Sequence, residues 1–241
     1  FLYRLTRYVV IRVSYLLQLL SFKKRDLESA EKFGDIVLAV LYKIASPLFF
    51  KFTIPKQKPI SFFDLTFESP LTFAAFKDHM PMLMQWCQLG VGGGIIKTIC
   101  LEPRPGNPRP RLQDLPNGLI NALGLPGKGT NKTLENLDGH SLFSLGRPIG
   151  ISVGGHHLDD YVEGAKRITT FFEGKELKPS FLELNISCPN TPDGQNMMAN
   201  IQLIDDLLTQ LRTITDWIIG VKVSPDQSND DLTSIAKIVS S

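Results

Sequence analysis

The 241-residue chain contains only three cysteines, Cys87, Cys100 and Cys188, and they are widely spaced. No CxxC pair occurs, and the four histidines form no recognisable zinc pattern with them. These absences exclude a zinc finger, an iron–sulfur cysteine cluster and a disulfide framework within the chain, and they favour a reducing compartment. We therefore predict no metal site.

The N-terminal stretch also lacks a charge-free run long enough to cross a bilayer. Only ten uncharged residues separate Arg12 from Lys23, whereas a spanning helix needs about 20. On a helix, however, basic and polar side chains oppose one broad apolar face, formed by Leu2, Leu5, Val9, Val13, Leu16 and Leu20. We predict a helix that lies in a membrane interface, with packing against the rest of the protein as the alternative.

Acidic residues are scarce at the N-terminus and in excess elsewhere. Residues 1–60 hold eleven Lys/Arg and four Asp/Glu, a net charge of +7, and residues 61–241 hold fifteen and twenty, a net charge of −5. The basic segment favours an anionic membrane surface, and the acidic remainder argues against nucleic acid. A second helix is predicted over 26–46, with an apolar stripe of Leu27, Ala30, Phe33, Val37, Leu41 and Ile44. Residues 1–52 would thus form a membrane-associating helical hairpin, followed by a linker at 53–59.

From residue 60 onwards, short apolar runs alternate with helical segments. The predicted strands are 69–75, 92–99, 148–153, 181–187 and 217–224, and the predicted helices lie near 79–89, 158–173, 199–214 and 229–240. This alternation is typical of an α/β fold with a buried parallel sheet. Because polar residues collect at the strands' carboxyl ends, we predict a (β/α)₈ TIM barrel over 60–241. About five of the eight strands are present, so a C-terminally incomplete barrel is expected, without its last strands and phosphate-binding loops.

The stretch "FLELNISCPN", residues 181–190, ends a predicted strand in a thiol between two carboxamides. Cys188 could act there as a nucleophile or general base, although its usual pKa of about 8.5 would require a nearby cation or alkaline conditions. The alternative is a small buried apolar residue. Asn185 and Asn190 offer donors and acceptors that suit a planar, amide-rich ligand, or they could cap a turn.

Two lysines also end apolar strands. Lys97 in "GGGIIKTI" and Lys222 in "GVKVSP" would be costly to bury without an anionic or electron-rich ligand, and their equivalent positions suggest a shared one. The proline-rich segment 102–111 is a stiff turn, and "GLINALGLPGKG" at 118–129 is a loop that could approach a ligand closely. That loop has neither the dinucleotide fingerprint nor the Walker spacing.

Taken together, "GNPRPR", "LINALGLPGKG", "LNISCPNTP" and "GVKVSPD" resemble the dihydroorotate dehydrogenase family, in its order and from about residue 60 to the end. The resemblance implies a flavin-containing (β/α)₈ barrel that binds FMN. It also implies the oxidation of dihydroorotate to orotate in pyrimidine biosynthesis.

Matching motif to motif, the resemblance makes Cys188 the general base that takes the C5 proton while C6 passes a hydride to FMN. The substrate residues it implies are Lys97, Asn121, Gly124, Leu125, Asn185 and Asn190. The cofactor residues it implies are Ala74, Ala75, Lys97, Thr98, Asn185 and Lys222.

The class within the family is divided. Cys188 and "IIKT" resemble the soluble enzymes, whereas residues 1–52 resemble the extension of the membrane-bound, quinone-reducing enzymes. The latter's usual "AAGFDK" reads "AAFKDH" here, and Ser152 stands in place of a flavin-binding Asn. Since a basic amphipathic hairpin has little use on a soluble enzyme, we expect electron transfer to ubiquinone or menaquinone. The expected location is peripheral, at the cytoplasmic face of a bacterial inner membrane, or else at the mitochondrial inner membrane.

Three alternatives stay open. A soluble dihydroorotate dehydrogenase would reduce fumarate or NAD. The related barrel of dihydropyrimidine dehydrogenase typically has His where Asn190 stands. An inactive, membrane-bound barrel that serves as a binding protein is the alternative from another class.

Overall fold

The computed structural model describes residues 2–49, 58–187 and 200–240. The elements in chain order are α1 (Leu2–Leu20), α2 (Glu28–Phe49), β1 (Ile60–Phe62), β2 (Leu65–Phe67), β3 (Thr72–Phe73), α3 (Met80–Gln88), β4 (Gly93–Cys100), β5 (Leu112–Leu115), β6 (Gly118–Asn121), α4 (Thr130–Leu137), a 3₁₀ turn (Ser141–Ser144), β7 (Ile149–Gly154), α5 (Leu158–Phe172), β8 (Phe181–Asn185), α6 (Ile201–Arg212), β9 (Ile218–Lys222) and α7 (Asn229–Ser240). They fold as two compact units: α1, α2 and Gly106–Gly124 form the first, and the other described residues form the second.

The second unit is built on a parallel sheet of five strands in the order β3-β4-β7-β8-β9. These are the five strands that the apolar runs predict, and α3, α5, α6 and α7 fall where helices are predicted. The α/β class is therefore confirmed. The described strands form an open sheet rather than a closed barrel, with β3 and β9 at its edges.

One face of this sheet carries the helices. Ile151 and Val153 of β7, together with Leu182 and Leu184 of β8, are fully buried in a core that includes side chains of α5 and α6. Because side chains alternate along a strand, Ser152, Glu183 and Asn185 lie on the opposite face, which we call the inner face. The same alternation therefore separates the apolar core from the polar site.

The structure contains two antiparallel hairpins and helix α4, which the sequence does not predict. β1 pairs with β2, and β5 pairs with β6 across a two-residue turn at 116–117. The segment 118–129 is therefore not all loop, since its first four residues form β6. Residues of β1, β5 and β6 are mostly exposed, so they show no apolar alternation that would have revealed them.

The first unit contains the predicted helical pair. Apolar side chains are exposed along both helices, as expected for Leu5, Val9, Val13, Leu16 and Leu20 of α1 and for Phe33, Val37, Leu41 and Ile44 of α2. Leu27 is an exception, because it precedes α2 and is buried, with its N–H bonded to the Leu112 carbonyl at 2.8 Å. No helix in the described part of the chain has the length and apolar content needed to cross a bilayer.

Candidate active site

The carboxyl ends of β4, β7 and β8 bring three polar side chains into contact on the inner face. Asn185 Nδ2 donates a hydrogen bond to Thr98 Oγ1 at 2.8 Å, and Thr98 Oγ1 lies 3.0 Å from Ser152 Oγ. All three residues are buried. The Tyr161 hydroxyl donates to the Asn185 carbonyl at 3.0 Å and fixes the end of β8 against α5. The structure therefore brings together Thr98 and Asn185, two of the residues that the resemblance implies for the cofactor.

Lys97 lies beside a second lysine that the motif comparison did not assign to the site. Its backbone N–H donates to the Lys77 carbonyl at 3.0 Å, which holds the segment after β3 against β4. Lys77 is only 8% exposed. Burial lowers the pKa of Lys77 to about 8, with Lys97 lowering it further and Asp78 opposing both. Lys77 is the lysine of "AAFKDH", and nothing in the sequence predicts that it is buried next to Lys97.

Lys222 ends β9 directly beside Asn185, its partner in the parallel register. Its side chain is exposed. Its positive charge affects the pKa of Glu183, a buried carboxyl two residues before Asn185 in β8 and on the same inner face. Glu183 is a further residue that the sequence analysis missed, although alternation along "FLELN" puts it on the same face as Asn185. Burial raises the pKa of Glu183, while a hydrogen bond from Ser152 and the charge of Lys222 both lower it.

Leu125 also reaches the strand ends. A side chain added at Gly154, the last residue of β7, would meet the Thr98 methyl at 2.7 Å and Leu125 Cδ1 at 3.5 Å. A glycine at position 154 therefore leaves room for the Thr98 side chain of β4, and Leu125 lies at ordinary contact distance from this position. Leu125 itself adopts a φ of 53°, an uncommon conformation for a leucine and one typical of a special turn.

Asn121 and Gly124 belong to the first unit. Gly124 has a φ of 68°, and a Cβ at this position would lie 2.6 Å from the Asn107 side chain. Asn107 in turn donates to the Ala122 carbonyl at 3.0 Å. Asn121 Oδ1 accepts from the Leu123 N–H at 3.5 Å. These contacts explain the shape of the loop, and the substrate roles of Asn121 and Gly124 stay predictions.

Ala74 and Ala75 follow β3 in a tight turn. The Phe76 N–H bonds the Ala74 carbonyl at 2.8 Å, so the backbone reverses direction at the strand end. Ala74 is exposed and Ala75 is half-buried. Their small side chains leave this backbone accessible, and the flavin contact stays a prediction.

The predicted base Cys188 and its neighbour Asn190 lie outside the described residues. The other two thiols, Cys87 and Cys100, are buried. Burial raises the pKa of Cys87 to about 11, which keeps that thiol protonated and unreactive near neutral pH. Cys87 therefore lacks the environment of a reactive thiolate that the base would need, and Cys100 Sγ accepts a contact from Arg104 Nη1 at 3.9 Å.

Comparison with known proteins gives a consistent result. The family model described as "Dihydroorotate dehydrogenase" matches residues 59–241. A dihydroorotate dehydrogenase (quinone) of Sulfurovum sp. is 30% identical over 72% of this chain and 49% of its own length. The catalytic subunit of a dihydroorotate dehydrogenase B (NAD(+)) of Bacillus cytotoxicus is 36% identical over 64% of this chain and 48% of its own length. The chain therefore spans about half the length of these relatives.

The fold has the same relatives. The crystal structure of a DHODH from Eimeria tenella in complex with ferulenol superposes with a TM-score of 0.66 at 20% identity. It covers 85% of this chain, and the chain covers 63% of that structure. A ligand-free form from the same organism also gives 0.66. At this identity the likeness concerns the fold, and it supports the TIM-barrel assignment. With the family model matched over residues 59–241, this chain belongs to the dihydroorotate dehydrogenase family.

Proposed function

We propose that this protein is a flavin-dependent dihydroorotate dehydrogenase, which oxidises dihydroorotate to orotate in pyrimidine biosynthesis and passes the electrons to a quinone. The observation that carries the proposal is the hydrogen bond between Thr98 and Asn185 at the carboxyl ends of β4 and β8, the two strands that flank β7, with Lys97 next to Thr98 in β4. Enzymes with this fold build their active sites at that end of the sheet. The family membership gives these residues their chemical context.

The residues present fit a flavin such as FMN. Asn185 Oδ1 is buried and has no hydrogen-bond partner among the described residues, so it is available to accept from a ring N–H. Lys77 and Lys97 supply positive charge next to it, and Lys222 ends the adjacent strand. FMN, when bound, supplies the two-electron acceptor for the hydride that leaves C6. Lysines at this position would stabilise the negative charge that a flavin ring or an orotate carboxylate brings.

The chain's own residues then have separate roles. Cys188, as thiolate, takes the proton from C5 of dihydroorotate, and the C5–C6 double bond forms as the hydride leaves C6. Asn185 and Asn190 hold the planar ring through their carboxamides, together with the backbone at Leu125. Lys97, with Lys77 beside it, holds the carboxylate of the substrate.

The first unit supports a quinone as the acceptor and a membrane surface as a partner. Fifteen large apolar side chains between Leu5 and Ile44 are exposed on its two helices and the turn between them. Such an accumulation is unusual for a surface in water and typical of membrane-binding segments. Positive charge that favours anionic lipid comes from Arg7 and Arg12 of α1 and from Lys23 and Lys24 of the turn between the helices. We therefore propose peripheral attachment through residues 1–52.

A cleft within the same unit offers a place for a quinone headgroup. Its volume is about 460 Å³, and Leu17, Gln18 and Arg109 are among its lining residues. Gln18 is held by two hydrogen bonds to the backbone of Asp26, at 2.6 and 2.9 Å. Donors such as Arg109 suit the carbonyl oxygens of a quinone. The long tail would stay in the lipid beside the exposed apolar faces.

The NAD-dependent class is the second candidate, because relatives of both classes match with similar identity. The deciding experiment measures turnover of the flavin-loaded protein with a long-tailed quinone, fumarate and NAD in parallel. Reduction of quinone alone is the expected result. Reduction of fumarate or NAD without a response to quinone would refute the quinone proposal while preserving dihydroorotate oxidation.

The absorption spectrum of the purified protein separates an enzyme from an inactive binding protein. A bound flavin absorbs at about 370 and 450 nm. Dihydroorotate should bleach the longer-wavelength band under anaerobic conditions. Absence of flavin, or a bound flavin that dihydroorotate leaves oxidised, would favour the inactive barrel.

A further inference from the structure

A chain of hydrogen bonds links Glu183, which no part of the proposed chemistry uses, to Asn185. Ser152 lies opposite Glu183 in the register of β7 and β8, and its hydroxyl lowers the pKa of the Glu183 carboxyl by hydrogen bonding. Ser152 Oγ lies 3.0 Å from Thr98 Oγ1, and Thr98 Oγ1 lies 2.8 Å from Asn185 Nδ2. The four residues come from three neighbouring strands, and each is at most 8% exposed. The hydrogen bonds of such a buried network restrain its members, although Glu183 Oε1 and Asn185 Oδ1 are buried without a partner among the described residues.

The charge on Glu183 determines the direction of every bond in this chain. An ionised carboxylate only accepts hydrogen bonds, so the single Ser152 proton must point to Glu183. Ser152 Oγ then accepts the Thr98 proton, and Thr98 Oγ1 accepts the N–H of Asn185. With Glu183 protonated, the same chain can run in the opposite direction, with Thr98 donating to a rotated Asn185 carboxamide.

The direction matters because it decides which end of the Asn185 carboxamide remains for a ligand. In the arrangement described, Nδ2 is used by Thr98, and Oδ1 is buried without a partner among the described residues. A buried acceptor without a partner is costly, and a ligand N–H would relieve that cost. In the reversed arrangement the ligand would meet a donor instead, and an N–H group would be rejected.

We propose that Glu183 is a positioning residue whose carboxylate, acting through Ser152 and Thr98, orients the Asn185 carboxamide so that the site selects a ring N–H donor. The inference rests on the proposed function, since the ligand is taken to be the pyrimidine or the flavin. Both contain a cyclic imide N–H, so the shared chemistry is the imide and the experiment must distinguish the two sources.

Burial and the charge of Lys222 act in opposite directions on the pKa of Glu183, and burial has the larger effect. Burial favours the neutral form of Glu183, and Lys222, which ends the adjacent strand β9, favours the ionised one. Among the charged groups of the described strands, Lys222 acts on the pKa of Glu183. On β7, Glu183 faces the uncharged hydroxyl of Ser152, which in turn lies beside Thr98 of β4. Acidification should therefore protonate Glu183 and release the orientation of Asn185.

The test compares imide ligands with their N-methyl analogues. Orotate and N3-methylorotate are titrated into the flavin-loaded protein, and FMN and its N3-methyl analogue into the flavin-free protein. In the unsubstituted protein, one of the two pairs should show an N–H preference of about tenfold, the value of roughly one hydrogen bond. That preference should shrink as the pH falls and Glu183, whose pKa burial raises, becomes protonated. A preference that is absent, or constant with pH, would overturn the inference.

Two substitutions locate the effect. Glu183→Gln removes the charge but keeps the shape, and Ser152→Ala cuts the chain while leaving the carboxylate. Both should reduce the N–H preference to near unity and remove its pH dependence. Glu173→Gln, at an exposed carboxylate after α5, is the matched control and should change neither. A full preference in both variants would also overturn the inference. Failure of the unsubstituted protein to bind FMN or orotate at all would instead refute the proposed function.

Discussion

Arg111 and Glu28 form a two-pronged ion pair within the first unit. Arg111 Nε lies 2.8 Å from Oε2 of Glu28, and a second guanidinium nitrogen lies 3.0 Å from Oε1. The two side chains are only 9% and 8% exposed. Arg109 adds a contact of 2.7 Å to the same carboxylate. These arginines hold the pKa of Glu28 far below its usual range, so the pair joins the start of α2 to the segment before β5 as a permanent charge pair.

Removing one partner of this pair should destabilise the first unit. Glu28→Gln leaves two guanidinium groups without their counter-charge, and the loss of a buried partner typically costs about 3–5 kcal/mol. We expect faster amide hydrogen exchange throughout α1 and α2. Lys132→Ala, which breaks an exposed pair with Glu135, is the control and should cost less than about 1 kcal/mol. Equal effects of the two changes would contradict the structural role of Glu28.

The same pair predicts an acid limit to stability. The folded-state pKa of Glu28 lies below the unfolded value of about 4.3, so the folded state binds fewer protons. The stabilisation is therefore fully present above that unfolded value and is lost progressively as the pH falls from it towards and through the lowered folded-state pKa. The pH dependence of hydrogen exchange in α1 and α2 should show this loss, and Glu28→Gln should remove it.

Lys77 should make the opposite contribution. Its folded-state pKa of about 8 is lower than the ordinary value of 10.5, so the unfolded chain binds more protons between these values. The free energy of unfolding should accordingly rise from about pH 8 towards pH 10. Lys77→Met should stabilise the flavin-free protein at pH 7, by on the order of 1 kcal/mol or more, and should flatten that rise. Denaturant titrations at several pH values measure both effects.

Lys77 should nevertheless be needed for ligand binding. Because it supplies buried positive charge beside Lys97, Lys77→Met should weaken orotate binding even as it stabilises the protein. The affinity of the unsubstituted protein should also fall as the pH rises through about 8, where Lys77 loses its proton. Unchanged orotate affinity in the variant would remove Lys77 from the site. Lys132→Met, at an exposed lysine, is the matched control.

The parts of the fold that could be predicted are the buried elements, because their burial requires apolar runs that are visible in the sequence. The strands β4, β7 and β8 are buried on both faces, so they appear as near-continuous apolar runs. The hairpin of β5 and β6 is mostly exposed, and its short strands have no such run. Its membership of the first unit depends on contacts such as that of Arg111 with Glu28, which are 83 residues apart in sequence.

The site shows the same division. Lys97 and Asn185 were predictable because a polar side chain ending an apolar strand is conspicuous. Glu183 was not, because a single carboxylate inside such a run does not reveal its link to Ser152 and Thr98, which depends on strand register. The burial of Lys77 likewise depends on its packing beside β4, which the local sequence does not encode.

Cys188 is predicted to be the general base. Cys188→Ala should leave the flavin bound but slow its reduction by dihydroorotate by about 10²–10⁴-fold, the usual effect of losing such a base. Cys188→Ser should keep more activity, especially at high pH. Anaerobic stopped-flow measurement of flavin reduction checks both. Cys87→Ala, at a buried thiol with a raised pKa, is the control and should leave the rate unchanged. A normal rate in Cys188→Ala would show that another group removes the proton.

The exposed apolar faces of α1 and α2 predict membrane binding that can be tested without deleting the helices. Deleting residues 1–52 would also remove the packing partner of Gly106–Gly124, so a loss of activity would be ambiguous. Point substitutions avoid this problem. Leu16 and Leu20 are 55% and 68% exposed, so replacing both by Glu should leave the fold intact. It should weaken binding to vesicles that contain phosphatidylglycerol, because apolar burial is replaced by like-charge repulsion.

Measuring turnover with a long-tailed quinone tests whether vesicle binding is needed for the quinone to act as electron acceptor. In the Leu16→Glu/Leu20→Glu variant, dihydroorotate should still reduce the flavin at the normal rate, while turnover with a long-tailed quinone in vesicles falls together with vesicle binding. Binding of the unsubstituted protein should weaken as salt is raised, since the basic side chains contribute electrostatically. Leu71→Glu, at a similarly exposed leucine of the second unit, is the matched control and should change neither measurement. If the double variant binds vesicles and reduces quinone normally, the exposed faces serve another purpose than membrane attachment, and the quinone assignment loses its main support.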